Sequence, residues 1–165
     1  PVDVGAILPF VLFDVDDSSG ELAGKEFNPE LALIQSFFES TDPINYARRV
    51  QRQPAAEAPE GHHLFMTYGM NDSYSPEDTQ EAYLRAGGFS VVAPVLDEGA
   101  FDDVLAPLMS NVTAGTTTRT VGARMYDGGS SVDGHFVATG TPEGRKDLLR
   151  FVRGFFDGQV PQIGE

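Results

Sequence analysis

Apolar and polar positions follow two different periods along the chain, and their succession predicts strands followed by helices. His63 to Gly69 is a short apolar segment that predicts a buried strand. A helix is predicted to follow, with Ser75 as its N-cap and the pair Gly87-Gly88 as its end. The last helix is predicted to begin at Thr141-Pro142-Glu143 and to turn four side chains inward: Leu148, Phe151, Val152 and Phe155.

Three further segments extend this pattern. Thr118 to Tyr126 predicts a strand, and Ser90 to Leu96 has β character, although Pro94 restricts it to an edge strand or an extended connection. Phe101 to Leu108 carries apolar residues on one helical face, shortened or kinked by Pro107. Because strands alternate with helices, the sequence predicts an α/β fold with a parallel sheet.

Residues 1–60 have a separate character, rich in helix and turn signals. Asn28 predicts an N-cap with Pro29 at the first helical position, and the following apolar residues fall on one face. Asp42-Pro43 should end that helix, because the residue before a proline avoids the α region. Gln51 to Gly61 is predicted to be a connecting loop.

Composition restricts the class of protein more than its function. A hydrophobic content of 41% in 165 residues is typical of a globular domain. The net charge of −14 argues against a nucleic-acid partner, because phosphate binding needs clustered Lys and Arg. No apolar run approaches the ~18 residues of a transmembrane helix. The chain has no cysteine, which excludes thiol catalysis, and it contains no cofactor-binding fingerprint.

Two short blocks carry candidate chemistry. Gly69-Met70-Asn71-Asp72 places a carboxylate just beyond the carboxyl end of a predicted strand, where open α/β sheets build their sites. Asp133-Gly134-His135-Phe136 follows another predicted strand and supplies an imidazole, which exchanges protons near neutral pH. Structural roles are the alternative: a turn formed by Asp72, and a partly buried loop position for His135.

The two blocks, with Pro76 close to the first and an amphipathic helix after the second, resemble the α/β-hydrolase superfamily. More narrowly, they are similar to bacterial esterase- or lipase-like serine hydrolases, whose triad follows the chain order serine, acid, histidine. The resemblance implies that Asp72 is the triad acid and that His135 is the general base. It also implies that residues 61–165 form the C-terminal part of the hydrolase core, that residues 1–60 are a lid-like or connecting segment, and that the protein is bacterial and secreted or bound to the cell envelope.

The nucleophile of such a triad, a serine on a Gly-x-Ser-x-Gly turn, does not occur in these 165 residues. The resemblance therefore implies an N-terminal half, in the same polypeptide or a separate chain, that supplies the serine and completes a partial parallel sheet flanked by helices. The substrate would be a small ester or lipid. A non-catalytic binding or assembly protein on a hydrolase-like scaffold is the alternative, because fold does not guarantee activity.

Four other side chains are possible site residues: Asp133, Asp127, His62 and His63. Asp133 is a rival acid, but a neighbour in sequence rarely reaches the imidazole in the required geometry, so a turn-stabilising role is predicted. Asp127 receives the same interpretation. His62-His63 resembles a pair of metal ligands, yet successive strand residues point to opposite faces, so no metal site is predicted.

Overall fold

The computed structural model describes residues 33, 36–57, 59–97 and 101–165. The chain divides into two compact units, residues 1–45 and 46–165. In the first unit, residues 36–38 are helical and a 3₁₀ turn, Glu39–Thr41, follows them. The backbone becomes extended at Asp42, which confirms the predicted end before Pro43. The predicted cap at Asn28 lies outside the described residues, and the lid-like role of residues 1–60 stays a prediction.

A four-stranded parallel sheet forms the centre of the second unit, which confirms the predicted α/β class. Its strands lie in the order β1 (Leu64–Gly69), β6 (Val121–Tyr126), β2 (Ser90–Val92) and β3 (Asp103–Val104). A hairpin of β4 (Val112–Ala114) and β5 (Thr117–Arg119) precedes β6. Gly69 lies opposite Tyr126 at the ends of β1 and β6, so the loops that follow both strands leave from the same edge.

Four α-helices of this unit are described: α1 (Ala47–Gln51), α2 (Glu77–Gly87), α3 (Val137–Gly140) and α4 (Pro142–Phe156). The start of α4 is as predicted, because the Thr141 hydroxyl accepts from the Gly144 N–H at 3.0 Å and Pro142 occupies the first turn. The end of α2 is also as predicted, with Gly88 in the left-handed region at φ 70°.

The sheet separates two apolar layers, because successive strand residues point to opposite faces. Beneath α2 lies a buried cluster of Tyr68, Leu84, Val91, Ala123 and Met125. Beneath α4 lies a second cluster of Val92, Leu108 and Ile163, joined by Phe65 and Phe151. The buried Asp147 of α4 accepts from Arg124 at 2.5 Å and from the Tyr126 hydroxyl at 2.8 Å, and these bonds fix α4 over the sheet.

Two predictions about the middle of the chain are wrong. The segment from Ser90 forms a strand, as its β character predicted, but it is not an edge strand: β2 lies between β6 and β3 and ends before Pro94, so the proline stays outside the ladder. The segment from Phe101 is not a helix, because β3 pairs with β2 along it. Pairing with a buried strand overrides the helical spacing of its apolar residues.

Three other predictions are wrong in detail. The strand predicted over Thr118 to Tyr126 is divided at Thr120, whose side chain is buried and hydrogen-bonds Pro161. Ser75 does not cap α2, whose N-cap is Pro76 without a side-chain hydrogen bond. On α4, Val152 and Phe155 were expected inside but are 40% and 65% exposed.

One edge of the sheet has no strand beside it among the described residues. Strand β1 is at the end of the strand order, so its outer edge has no paired strand in this part of the chain. The neighbouring helix α4 exposes four large apolar side chains: Leu149, Val152, Phe155 and Phe156. None of the helices described here combines the length and the apolar character needed to cross a membrane.

Candidate active site

Two glycines bring the loops after β1 and β6 into contact. A Cβ on Gly134 would lie 2.6 Å from both the Asp72 nitrogen and the Met70 oxygen, and one on Gly69 would overlap the Gly134 carbonyl. Contacts of this kind are closer than real Cβ atoms make, so only glycine permits this approach of backbone to backbone. The glycines of the two sequence blocks therefore have a physical role, which is to place the residues that follow them side by side.

Asp72 is held firmly in the loop after β1. One carboxylate oxygen, Oδ1, accepts from the backbone N–H groups of Tyr74 and Ser75, each at 2.8 Å. The other, Oδ2, accepts from Gln80 Nε2 at 3.2 Å. The side chain is only 5% exposed. Asp72 thus forms the turn that was considered as its structural role, and the same hydrogen bonds fix the carboxylate in one orientation.

His135 lies in a 3₁₀ turn, Gly134–Phe136, and its imidazole faces the Asp72 carboxylate. Its Nδ1 is 3.3 Å from Oδ1 and 3.4 Å from Oδ2, which is longer than an ordinary N–H···O bond of about 2.9 Å. The predicted pair is therefore brought together, in a relaxed geometry that catalytic sites often have without substrate. The imidazole is 42% exposed, so another molecule can reach it.

Asp133 joins the two loops instead of approaching the imidazole. Its Oδ1 accepts from the His135 N–H at 2.8 Å, and its Oδ2 accepts from the Ser73 hydroxyl at 2.6 Å. The bond from Ser73, followed by that from the His135 backbone, lowers the pKa of the Asp133 carboxyl. The rival acid is thus occupied by other donors. Asp127 makes a local turn, accepting from Gly129 N–H at 2.7 Å.

Aromatic rings surround the imidazole. The Tyr74 ring lies 4.7 Å from that of His135 between centroids, and the Phe136 ring lies 5.1 Å from it. Both aromatic side chains are exposed, by 67% and 50%. The two rings give the imidazole an apolar border.

His62 and His63 lie before β1, away from this site. His63 lies just before β1, and its Nδ1 accepts from the Thr120 N–H at 2.9 Å. Burial and the nearby Arg119 lower the pKa of His63, which favours the neutral ring that this bond requires. Among the described residues, no group of three or more His, Asp or Glu side chains is arranged to hold a metal ion.

Gln80 is a site residue that sequence reasoning missed. It is buried on the inner face of α2 with Leu84 and Gly87, at spacings of four and three residues. Its Nε2 donates to Asp72 and, at 2.8 Å, to the Ser75 carbonyl. The sequence did contain a signal for Gln80, because it lies on the predicted inner face of the helix. A buried side-chain amide needs hydrogen-bond partners, so a polar group is expected near it.

The arrangement can hold a proton at one nitrogen of an accessible imidazole while the other stays available. With Nδ1 turned to Asp72, the carboxylate favours a proton there and leaves Nε2 as the acceptor. Within the described part of the chain no group hydrogen-bonds Nε2.

Comparison with protein-family models, curated proteins and solved structures gave no significant match to this chain.

Proposed function

We propose that this chain is the C-terminal portion of a serine carboxylic-ester hydrolase of the α/β-hydrolase type. The nucleophilic serine comes from an N-terminal half, in the same polypeptide or a separate chain. It attacks the ester carbonyl while His135 takes its proton at Nε2 and returns it to the departing alcohol. Water then attacks the acyl-serine by the same route and releases the acid. Asp72 orients the imidazole and stabilises its protonated form.

A single observation carries the proposal: the imidazole of His135 lies 3.3 Å from a carboxylate that the surrounding backbone holds in place. Asp72 is nearly inaccessible to solvent while His135 is open, so the carboxylate can act on a substrate only through the imidazole. This relation, an enclosed acid behind an accessible base, is what a catalytic triad requires.

The outer edge of β1 and the exposed face of α4 support the idea of a completing segment. Parallel sheets are normally buried on both faces, and unpaired edges are usually covered or blocked. In the proposal, the N-terminal half adds a strand beside β1 and packs apolar residues on Val152, Phe155 and Phe156. The sheet would then continue past the strand whose carboxyl end carries Asp72.

The test is hydrolysis of a short-chain aryl ester by the complete polypeptide or assembly. His135→Ala should remove nearly all turnover, because among the described residues the other histidines, His62 and His63, lie before β1, at the opposite end of that strand from Asp72. Asp72→Asn should lower kcat by about 10⁴-fold, since an amide permits the wrong imidazole tautomer and lacks the stabilising charge. Circular dichroism should show that both variants remain folded.

His62→Ala is the matched control, because this exposed histidine precedes β1, whereas Asp72 follows the other end of that strand. It should hydrolyse the ester at the wild-type rate. Equal turnover by the wild type and by all three variants would refute the serine-hydrolase proposal.

A non-catalytic binding or assembly protein is the second candidate, and the apolar face of α4 favours it. Phe155 and Phe156 are 65% and 79% exposed, and a contiguous apolar patch often marks an interaction surface. In that case the segment that covers β1 and α4 lacks a Gly-x-Ser-x-Gly turn, and the complete assembly binds its partner equally well with Asp72→Asn and His135→Ala.

A further inference from the structure

We propose that Asp133 is a positioning residue, which sets the placement of His135 against Asp72 by tying the histidine turn to the acid loop. The inference rests on the proposed function of the Asp72–His135 dyad. It assigns to Asp133 a task that differs from both roles considered in the sequence, the rival acid and the simple turn former.

The bonds of Asp133 reach one member of the dyad, His135, and the neighbour of the other, Asp72. Oδ1 accepts from the backbone N–H of His135 itself at 2.8 Å. Oδ2 accepts at 2.6 Å from the hydroxyl of Ser73, the residue that follows Asp72, and the Ser73 N–H lies 3.4 Å from Oδ1. One carboxylate therefore connects two loops that are 60 residues apart in the sequence.

The bonds of Asp133 support the least restrained part of the dyad, which is the placement of the His135 ring. The contact between the His135 ring and Asp72 is long, at 3.3–3.4 Å, and the imidazole is 42% exposed, so the ring is not held by close packing alone. Gly134 brings the two backbones together, but glycine does not set the rotation of the turn that carries His135. The Asp133 bond to the His135 N–H fixes the start of that turn, and the bond to Ser73 fixes where the turn lies.

The same bonds explain why Asp133 does not replace Asp72. Its two oxygens are engaged by hydroxyl and backbone donors, and these donors lower its pKa. Asp133 therefore stays ionised throughout the neutral range, and the connection loosens only in acid, as the pH falls through that lowered pKa. A pH dependence of activity near neutrality would come from another group.

The test reads the tautomer of His135 by long-range ¹⁵N–¹H NMR of ¹⁵N-histidine-labelled protein at pH 8, a pH above the ordinary imidazole pKa of about 6.5. The wild type should show a ring protonated mainly at Nδ1. Asp133→Ala should lose that preference and give a mixture in which Nε2–H predominates. Ser73→Ala should give a smaller shift in the same direction, since one of the connecting bonds remains.

Two variants separate positioning from folding. Asp133→Asn should retain the Nδ1–H form, because an amide oxygen still accepts from His135 N–H and the amide can donate to Ser73. Asp127→Ala removes a carboxylate that bonds only within its own loop, and it should leave the tautomer unchanged. An unchanged tautomer in both Asp133→Ala and Ser73→Ala would overturn the inference.

Turnover distinguishes this inference from the proposed function. In the complete assembly, Asp133→Ala should lower kcat by about 10²-fold with little change in KM, as expected when a catalytic group is displaced. Loss of the Nδ1–H preference without any ester hydrolysis by the wild type would refute the function and keep the connection. Full kcat in Asp133→Ala, beside inactive His135→Ala, would refute the connection and keep the function.

Discussion

Two histidines lie at opposite ends of β1, and they differ in nearly every physical respect. His63 precedes the strand, is partly buried, and accepts at Nδ1 from the Thr120 N–H. His135 lies against the loop that follows the strand, is exposed, and turns its Nδ1 toward the Asp72 carboxylate. Burial and Arg119 lower the pKa of His63, whereas His135 has a negative group as its neighbour.

The atom that faces Nδ1 decides what each of these histidines can do. A backbone N–H needs a lone pair on Nδ1, so His63 must be neutral and carry its proton on Nε2. A carboxylate favours a proton on Nδ1, so His135 keeps a lone pair on Nε2 for a proton from another molecule. The two environments therefore favour opposite tautomers, one suited to stabilising a strand junction and the other to proton transfer.

Among changes that leave both members of the dyad in place, the largest effect is expected from moving them apart. Gly134→Ala places a methyl group 2.6 Å from backbone atoms of Met70 and Asp72, which cannot yield as a flexible side chain would. The loops must move apart, and a displacement of about 1 Å costs on the order of 10²-fold in turnover. Ester hydrolysis by the complete assembly measures it.

Gly129→Ala is the control for backbone strain, because its φ is 59° and a Cβ there meets open space. It should reduce stability slightly and leave turnover close to that of the wild type. Equal losses of turnover in the two alanine variants would show that the close approach at Gly134 is not what keeps the pair together.

A smaller effect is expected from the support behind Asp72. Gln80→Met keeps the volume of the side chain but removes the donor to the carboxylate, whose bond is 3.2 Å long. A bond of this kind is worth about 1.4 kcal/mol, which corresponds to roughly tenfold in kcat. Gln51→Met removes the other buried glutamine beside α2, which bonds the Gly87 carbonyl, and should cost stability without lowering kcat. The reverse pattern would contradict the supporting role of Gln80.

The smallest effect concerns His63 and appears in stability alone. Because its pKa is lowered in the folded state, the unfolded chain binds the proton more readily, and stability falls as the pH drops from about 6.5 through that lowered value. At pH 8, His63→Ala should lower the free energy of unfolding by about 1 kcal/mol, because the bond from Thr120 is lost. The fall in stability below about pH 6.5 that comes from His63 should also disappear in this variant. Urea unfolding between pH 5 and pH 8 measures both, and an unchanged slope would contradict the assignment.

Local signals in the sequence predicted the parts of the fold that depend on neighbours in the chain. The start of α4 at Thr141-Pro142 and the end of α2 at Gly88 follow from capping chemistry, and β1 follows from a short apolar run. The parts that failed depend on partners far along the chain. Asp103–Val104 becomes a strand because β2 lies beside it, a fact that apolar spacing does not contain.

The site shows the same division. An acid and a histidine, each following a predicted strand, indicated that Asp72 and His135 lie close together. The structure agrees, because the carboxyl ends of the parallel strands β1 and β6 share an edge of the sheet. The Ser73–Asp133 bond was not predictable, since it depends on the distance between two loops that the glycines set. Whether the pair acts on an ester stays a prediction.

In the proposed mechanism, His135, and not His63, activates a serine that lies outside these residues. A fluorophosphonate probe reacts with activated serines, so the decisive measurement is its rate of labelling of the complete assembly, with the modified serine found by mass spectrometry. The proposed role of His135 predicts one labelled serine beyond residues 1–165, rapid labelling in the wild type and His63→Ala, and almost none in His135→Ala. Labelling at the same rate in His135→Ala, or at a serine within residues 1–165, would contradict it.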